Sequence, residues 1–296
     1  MGGKPPAEVE DLLDRRRAAR EARDFALADR LRAEIETAGW RVVDGPSGSR
    51  LESLADRVES YPTVAAVPSL ADQPDACERS VCMAVHGWPE DARRLVEGCA
   101  DGGTEVVAVD VGGLGLTPAG LLPTSRSGSA GNIHVVRVEE GIGHADAWNV
   151  AARRSRGRVL VFAEPSLEFG AAALRMLAEA LDDGAVGLVG PFGLGTDDMR
   201  TFEAVEGDEV DALEHLLAMR RADLGRVGEF DAHYRFYRNL DLDFSYQVRA
   251  AGLAVRRVDC GEVLRHTHRL WESVASDERE RLSRRNFNRF LDRWGR

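Results

Sequence analysis

From Ser80 onward the chain repeats one pattern, in which a short run of consecutive apolar residues is followed by a turn and then by a helical stripe. Ser80–Val85, Glu105–Asp110, Ile133–Val138, Arg158–Ala163 and Ala185–Gly190 are such runs. Their shortness and their apolar character on both faces predict buried strands. Glu90–Ala100, Ala145–Arg154 and Ala171–Leu181 read as helices between them. A strand-like start at Leu217, a helix over Phe244–Ala251 and a strand over Ala254–Val258 extend the series. Strands apolar on both faces, alternating with helices, predict an α/β domain with a mostly parallel central sheet covered on both sides. Ligands in such sheets bind beyond the carboxyl ends of the strands. Asp110 and the segment after Ala163 stand at those ends and are expected to face one site.

The beginning of the chain has a different rhythm. Leu12, Leu13, Ala19 and Ala22 keep a helical period, while Arg15, Arg16, Arg17, Arg20 and Arg23 alternate with acids on the other face. Asp24 is placed to cap a second helix whose stripe is Leu27, Leu31 and Ile35, and Gly39 ends it. Trp40–Val43 reads as a strand and Asp44–Gly48 as a hairpin loop. The predicted organisation is a helical hairpin plus β-hairpin module over residues 1–52, a linker over 53–78, and the α/β domain over 79–296. The linker carries Pro62, Pro68 and Pro74, lacks sustained periodicity, and is expected to hold one short helix near Leu54–Val58.

Composition narrows the function classes. The net charge of -11 argues against bulk nucleic-acid binding, because proteins that track phosphates are normally basic. No apolar run approaches the ~20 residues that span a bilayer, and no secretory signal is visible at the start. Pro6 stands where a myristoylation signal wants Ser or Thr. Cys77, Cys82, Cys99 and Cys260 have no metal-like spacing and read as reduced thiols. Together these features predict a cytoplasmic protein, with the N-terminal helical hairpin as a plausible homodimer contact.

Leu217–Gly252 runs from an apolar start through Gly228-Glu229-Phe230-Asp231 to Asp241-Leu242-Asp243-Phe244, then Arg249 and Gly252. That order resembles the acceptor half of the inverting GT-A glycosyltransferases of family 2. The earlier strands resemble the nucleotide-binding half of the same family. Ser80–Gly87 stands for its opening strand, Glu105–Gly113 for its second, and Gly141 or Gly143, Ala147, Asn149 and Gly157 for its third element. Asn286–Gly295 is similar to the family's closing helix. The resemblance covers residues ~79–296. It implies a GT-A-like fold, a nucleoside diphosphate sugar as donor, and a hydroxyl acceptor whose identity stays open.

The same resemblance assigns roles. Asp241 is the implied general base, which takes the proton of the acceptor hydroxyl, while Asp243 holds the helix start. Val85, His86, Asp110, Asn149, Glu164 and Ser166 are the implied nucleotide-sugar-binding residues. The family places a D-x-D or N-P-D motif after the fourth strand, where two carboxylates share a divalent cation with the diphosphate. Here Glu164-Pro165-Ser166 keeps the proline and loses the last carboxylate. Hard oxygen ligands suit Mn²⁺ or Mg²⁺, and Glu164, His266 and His268 are the candidate metal ligands. The two histidines, two apart on an extended segment, are expected to point to one side. Val111 replaces the second acid of the family's second strand, and Asn239-Leu240 replaces the acid before Asp241. These departures leave open a catalytically silent domain that binds a nucleotide or a partner.

The first module has its own resemblance. Arg16, Ala19, Arg20, Arg23, Asp24, Phe25, Ala26, Ala28, Asp29, Leu31 and Arg32, followed by Gly39, Asp44, Pro46 and Gly48, are similar to the C-terminal end of cysteinyl-tRNA synthetases. None of the synthetase's catalytic domain accompanies them, so aminoacylation is not implied. A packing or oligomerisation role is the expectation, and RNA association is the lesser alternative. The module's acids nearly balance its arginines, which leaves a weak electrostatic footprint for RNA.

Overall fold

The computed structural model describes residues 5–38, 40–45, 48–53, 58–99, 101–122 and 132–295. Gly39, Pro46, Ser47, Ala100 and residues 54–57, which sequence reading assigned to helix ends, a hairpin loop and a short helix, lie outside the described residues. The first module consists of α1 (Ala7–Glu21), α2 (Phe25–Thr37), β1 (Trp40–Gly45) and β2 (Gly48–Ser53). Asp24 caps α2 as expected, its Oδ1 accepting the Leu27 N–H at 3.0 Å. Val9, Leu13, Ile35 and Val42 form the module's small core. Arg16 departs from the expected exposed charged face. It is buried, and its guanidinium donates to both carboxylate oxygens of Asp44 at 3.1 and 3.0 Å.

The remaining elements are β3 (Val58–Tyr61), β4 (Cys77–Val85), α3 (Pro89–Cys99), β5 (Thr104–Asp110), α4 (Pro118–Leu121), β6 (Ile133–Val138), α5 (His144–Arg154), β7 (Gly157–Ala163), β8 (Leu167–Phe169), α6 (Ala171–Ala180) and β9 (Val186–Gly190). They continue with β10 (Gly193–Gly195), β11 (Glu203–Val205), β12 (Ala212–Leu213), β13 (Leu216–Arg220), α7 (Leu224–Val227), α8 (Leu240–Ala250), β14 (Ala254–Arg257), β15 (Val263–Arg265), α9 (Arg269–Ser273) and α10 (Ser276–Trp294). An eight-stranded sheet runs in the order β14-β9-β13-β7-β4-β5-β6-β3. All its pairings are parallel except those of β13, which runs antiparallel to both β7 and β9.

The period of two along β4 explains the two-sided cover. Cys82 and Ala84 face one core, which they share with Trp148 and Val150 of α5. Val81, Met83 and Val85 face the other, shared with Leu95 and Val96 of α3. Burial of these strands on both faces accounts for the unbroken apolar runs. The stretch read as a linker contributes β3, which joins the sheet beside β6 with Val58 opposite Val135. Four residues are too few to show a period, and the pairing is set by the neighbouring strand. Arg221 then holds the rest of that stretch by donating to the carbonyls of Leu70 and Gln73, both at 2.7 Å.

Helix α8 begins at Leu240, ahead of the expected Phe244, so Asp241 and Asp243 lie within its first turn, where negative charge is favoured. Gly252 follows it with φ 75°, a left-handed position at a helix end that favours glycine. Gly112 is required for another reason. A Cβ there would meet the His86 carbonyl oxygen at 2.2 Å, because the loop after β5 packs on the chain leaving β4. Gly112→Ala is therefore expected to lower unfolding free energy by about 1–3 kcal/mol. Gly87→Ala, whose Cβ would meet nothing within 4 Å, is expected to stay within about 0.5 kcal/mol. Urea denaturation of the two variants reads the difference.

Candidate functional site

Register places the central pair of the site. Leu216 of β13 lies opposite Ala163 of β7, so the preceding His215 and the following Glu164 meet at the carboxyl end of β7, inside the sheet. His215 holds a left-handed backbone with φ 67° between β12 and β13, which continue one another antiparallel to β10 and β9. Its Nδ1 lies 3.4 Å from Glu164 Oε2, and its Nε2 lies 3.2 Å from Glu214 Oε2. Burial alone opposes charge on the imidazole, but the two carboxylates outweigh it and push its pKa up to about 10. Burial likewise opposes ionisation of Glu164. Hydrogen bonds from His215 and His268 prevail and hold its carboxyl below the usual range.

Around this pair the carboxyl ends of β4 and β7 form a small pocket lined by His86, Trp88, His144, Glu164, Ser166 and His268, among others. His268 Nε2 stands 3.2 Å from Glu164 Oε2, and the Ser166 hydroxyl donates to the same oxygen at 3.4 Å. His86 and His144 are hydrogen-bonded at 3.0 Å with nearly parallel rings. Burial, followed by the charge of His268, lowers the His86 pKa to about 4, and burial places His144 well below its ordinary value. The two therefore form a neutral pair at neutral pH.

Three side chains thus converge on Glu164 Oε2. One carboxylate and one imidazole are donors that suit Mn²⁺ and, less well, Mg²⁺. Among the described residues no group of three or more His, Cys, Asp and Glu side chains is arranged to hold a metal ion by itself. His266 does not share the site. The segment after β15 is not regular strand, and His266 Nε2 turns to Glu168 at 2.7 Å instead of joining His268 on Glu164.

Asp241 lines a second cavity of ~330 Å³ with His215, Glu214, Tyr237 and Arg238. Its Oδ2 accepts the His215 N–H at 3.2 Å, and its Oδ1 accepts the Leu242 N–H at 3.0 Å. Burial is the main cause of a pKa raised to about 6. The two cavities are separated by two pairs of side chains, with Glu164 and His268 on the first and His215 and Tyr237 on the second, and Tyr237 stacks on His268 at 4.1 Å. Asp243 faces away. It accepts from Arg293 at 2.6 Å and from the Trp294 indole at 2.8 Å, which ties α8 to α10.

Of the residues expected to bind the nucleotide sugar, His86, Glu164 and Ser166 reach the first pocket. Val85, Asp110 and Asn149 do not line it. Val85 is buried in the core, and its carbonyl accepts the Val111 and Gly112 N–H groups. Asp110 accepts from Leu114 N–H at 2.8 Å, Leu116 N–H at 3.2 Å and Arg137 at 3.1 Å. Asn149 clamps Phe230 through both its amide atoms, at 2.8 and 2.9 Å, and so joins the third motif to the Gly228–Asp231 motif. His144, Glu214 and His215 were missed from sequence. Nothing local marks them, since each acquires its neighbours through pairing or packing across the sheet.

No family model matches the chain. GalNAc-T7, solved with UDP, GalNAc and Mn²⁺, is similar in structure, with a TM-score of 0.54 and 15% identity over 74% of this chain and 48% of its own. A mycobacterial protein of solved structure has a TM-score of 0.52 and 16% identity, covering 74% of this chain and 76% of its own. In sequence, cysteine–tRNA ligases match over a stretch about as long as the N-terminal module. The ligase of Opitutus terrae is 53% identical over 47 residues, and that of a Caulobacter species is 58% identical over 43. The chain spans about a tenth of the length of those ligases and about half that of GalNAc-T7. The large domain thus has the GT-A fold, a mixed α/β sheet flanked by helices. Among the described residues no helix is long and apolar enough to cross a membrane.

Removing one member of the central pair leaves the other charge buried. Glu164→Gln is expected to cost about 3 kcal/mol of stability, because His215 loses one of its two carboxylates in a dry setting. His268→Asn is expected to cost less, because that side chain is partly exposed. Denaturant melts of the two variants supply the comparison, and equal losses would count against the His215–Glu164 pair as the dominant contact.

Proposed function

We propose that the chain is an inverting glycosyltransferase, which takes a sugar from a nucleoside diphosphate donor and transfers it to a hydroxyl of its acceptor. The observation that carries this reading is the placement of Asp241, a half-buried carboxylate on the wall of a cavity that the His215–Glu164 contact divides from the strand-end pocket. The GT-A fold supports the donor class, as does the solution of GalNAc-T7 with UDP, GalNAc and Mn²⁺.

In this reading the donor occupies the pocket of His86, Glu164, Ser166 and His268, and the acceptor occupies the cavity beside Asp241. Asp241 is ionised at neutral pH, and its raised pKa makes it a stronger base than an exposed aspartate. It takes the acceptor hydroxyl proton as that oxygen forms its bond to the anomeric carbon. The bond from that carbon to the diphosphate oxygen breaks on the opposite face, so a single displacement inverts the centre. Glu164 and His268 are the residues that would hold Mn²⁺ or Mg²⁺. Such a cation supplies positive charge to the leaving diphosphate when bound. His215 keeps the Glu164 carboxylate ionised and aimed, and Arg269, paired with Glu90 and Asp91, holds the segment carrying His268 against α3. Asp110 and Asn149 support the donor site from behind through their loop and Phe230 contacts.

Thermal melts with UDP, GDP, dTDP and CDP, each with and without Mn²⁺, test the donor class. One nucleotide is expected to raise Tm by mass action, and more so with Mn²⁺. With the matching donor, Asp241→Asn is expected to lower kcat by ~10²–10⁴-fold. The pKa of Asp241 in the folded protein lies above its ordinary value, so ionisation costs stability as pH rises through about 6. The Asn variant should therefore melt no lower than the parent at pH 7, while the parent's kcat/KM climbs through pH about 6. Full activity in the Asn variant would remove Asp241 as the base. Nucleotide binding with no turnover of any donor would make the domain a silent binder.

A further inference from the structure

The cavity beside Asp241 carries a feature that the reaction itself does not require. Arg200 and Arg238 both line it, and among the described residues neither guanidinium has a carboxylate within ion-pair distance. Arg238 is half-buried, and its Nε is buried without a hydrogen-bond partner. Its guanidinium carbon lies over Trp271, 5.6 Å from the ring centroid. Neighbouring arginines are engaged otherwise, since Arg269 bonds Glu90 and Arg265 faces Glu214 at 4.0 Å. A buried guanidinium nitrogen without an acceptor is costly, and such groups in native proteins normally have partners.

The position of Arg238 is built in. Asn286 of α10 donates to the carbonyls of Phe236 and Arg238, both at 2.8 Å. Asn239 donates back to the Ser283 carbonyl at 3.2 Å. The closing helix therefore fixes the backbone that delivers Arg238 to the same cavity as Asp241. Phe202 and Phe287 supply an apolar wall. The acids on this cavity are Asp241, already given the role of base, and Glu214, which faces His215 and Arg265. The volume of ~330 Å³ lies at the lower end of small-molecule pockets, roughly 300–1,000 Å³. The charge of Arg238 acts through space on Glu214 and Asp241, and among the described residues neither it nor the exposed Arg200 makes a side-chain hydrogen bond, so both guanidinium groups can meet a ligand in the cavity.

We propose that the acceptor is a small hydroxyl compound bearing a carboxylate or phosphate, which Arg238 and Arg200 bind while its hydroxyl lies at Asp241. The planar guanidinium fork matches either oxyanion in two-point hydrogen bonding. The anion would pair with the two guanidinium groups on the cavity wall and orient the nucleophile, and the apolar wall would pack against the carbon skeleton. This inference rests on the glycosyltransferase reading of the site.

The test uses the full chain, the nucleotide that raises Tm, and the matching nucleotide sugar. Donor consumption is measured with matched acceptors, namely glycerol, glycerate and glycerol 3-phosphate, then glucose, gluconate and glucose 6-phosphate. In parallel, the melting shift caused by each compound is read with the nucleotide bound. Anionic members are expected to exceed their neutral partners by about tenfold or more in kcat/KM, and to raise Tm where the neutral ones do not. Whether the carboxylate or the phosphate series leads identifies the anion. Arg238→Met is expected to bring the anionic-to-neutral ratio down to about one through KM. Arg200→Met, at an exposed position, is expected to lower it partly and keeps the test valid if the Arg238 variant fails to fold. Equal use of neutral and anionic acceptors, or a ratio unmoved in both variants, overturns the inference and leaves the glycosyltransferase reading standing. Absence of any nucleotide shift removes that reading and the inference together.

Discussion

Strand β13 runs against its two neighbours, and the site depends on that reversal. In an all-parallel sheet the segment before β13 would enter at the amino ends of the strands, far from the carboxyl ends of β4 and β7. Run antiparallel, β13 places His215 beside Glu164 and puts the backbone N–H of His215 on Asp241. One register therefore links the strand-end pocket to the first turn of α8. The buried Glu164–His215 pair is costly to desolvate, and its mutual attraction with Glu214 nearby is what keeps both groups charged.

A second layer of contacts holds the parts in place. Asn149 carries the third motif to Phe230, which stacks on Phe244 of α8 at 3.9 Å. Asp243 ties α8 to Arg293 and Trp294 at the end of α10, and Asn286 ties α10 back to the Phe236–Asn239 loop. The residues that resemble glycosyltransferase motifs are thus joined to one another by buried polar contacts. Several of them act by fixing backbone and never reach a pocket. This accounts for Asp110 and Asn149, whose polar atoms are taken up by the loop after β5 and by Phe230.

The N-terminal module is a separate packing solution on the same chain. Its helices and hairpin close over a small core, and the Arg16–Asp44 contact substitutes for apolar area that so short a segment lacks. The arginines nearest the hairpin are drawn into that contact. Arg20 also bonds Asp44, at 2.6 Å, which reduces the positive surface that the arginine-rich sequence suggests.

Sequence alone determined the parts of the protein that rest on local periodicity and chain chemistry. Apolar runs buried on both faces announced β4, β5, β6, β7 and β9, and Asp24 announced the start of α2, because period and capping are properties of adjacent residues. Motif order also indicated Asp241 and Glu164 as residues at strand and helix ends. Only the tertiary structure decided the remainder. Strand β3 has too few residues to show a period and exists through its pairing with β6. The direction of β13, the charge on His215, the turn of His266 toward Glu168 and the seat of Arg238 over Trp271 all depend on residues dozens of positions away. Burial and charge partners are fixed by which strands become neighbours, and no local pattern in a single chain encodes that choice.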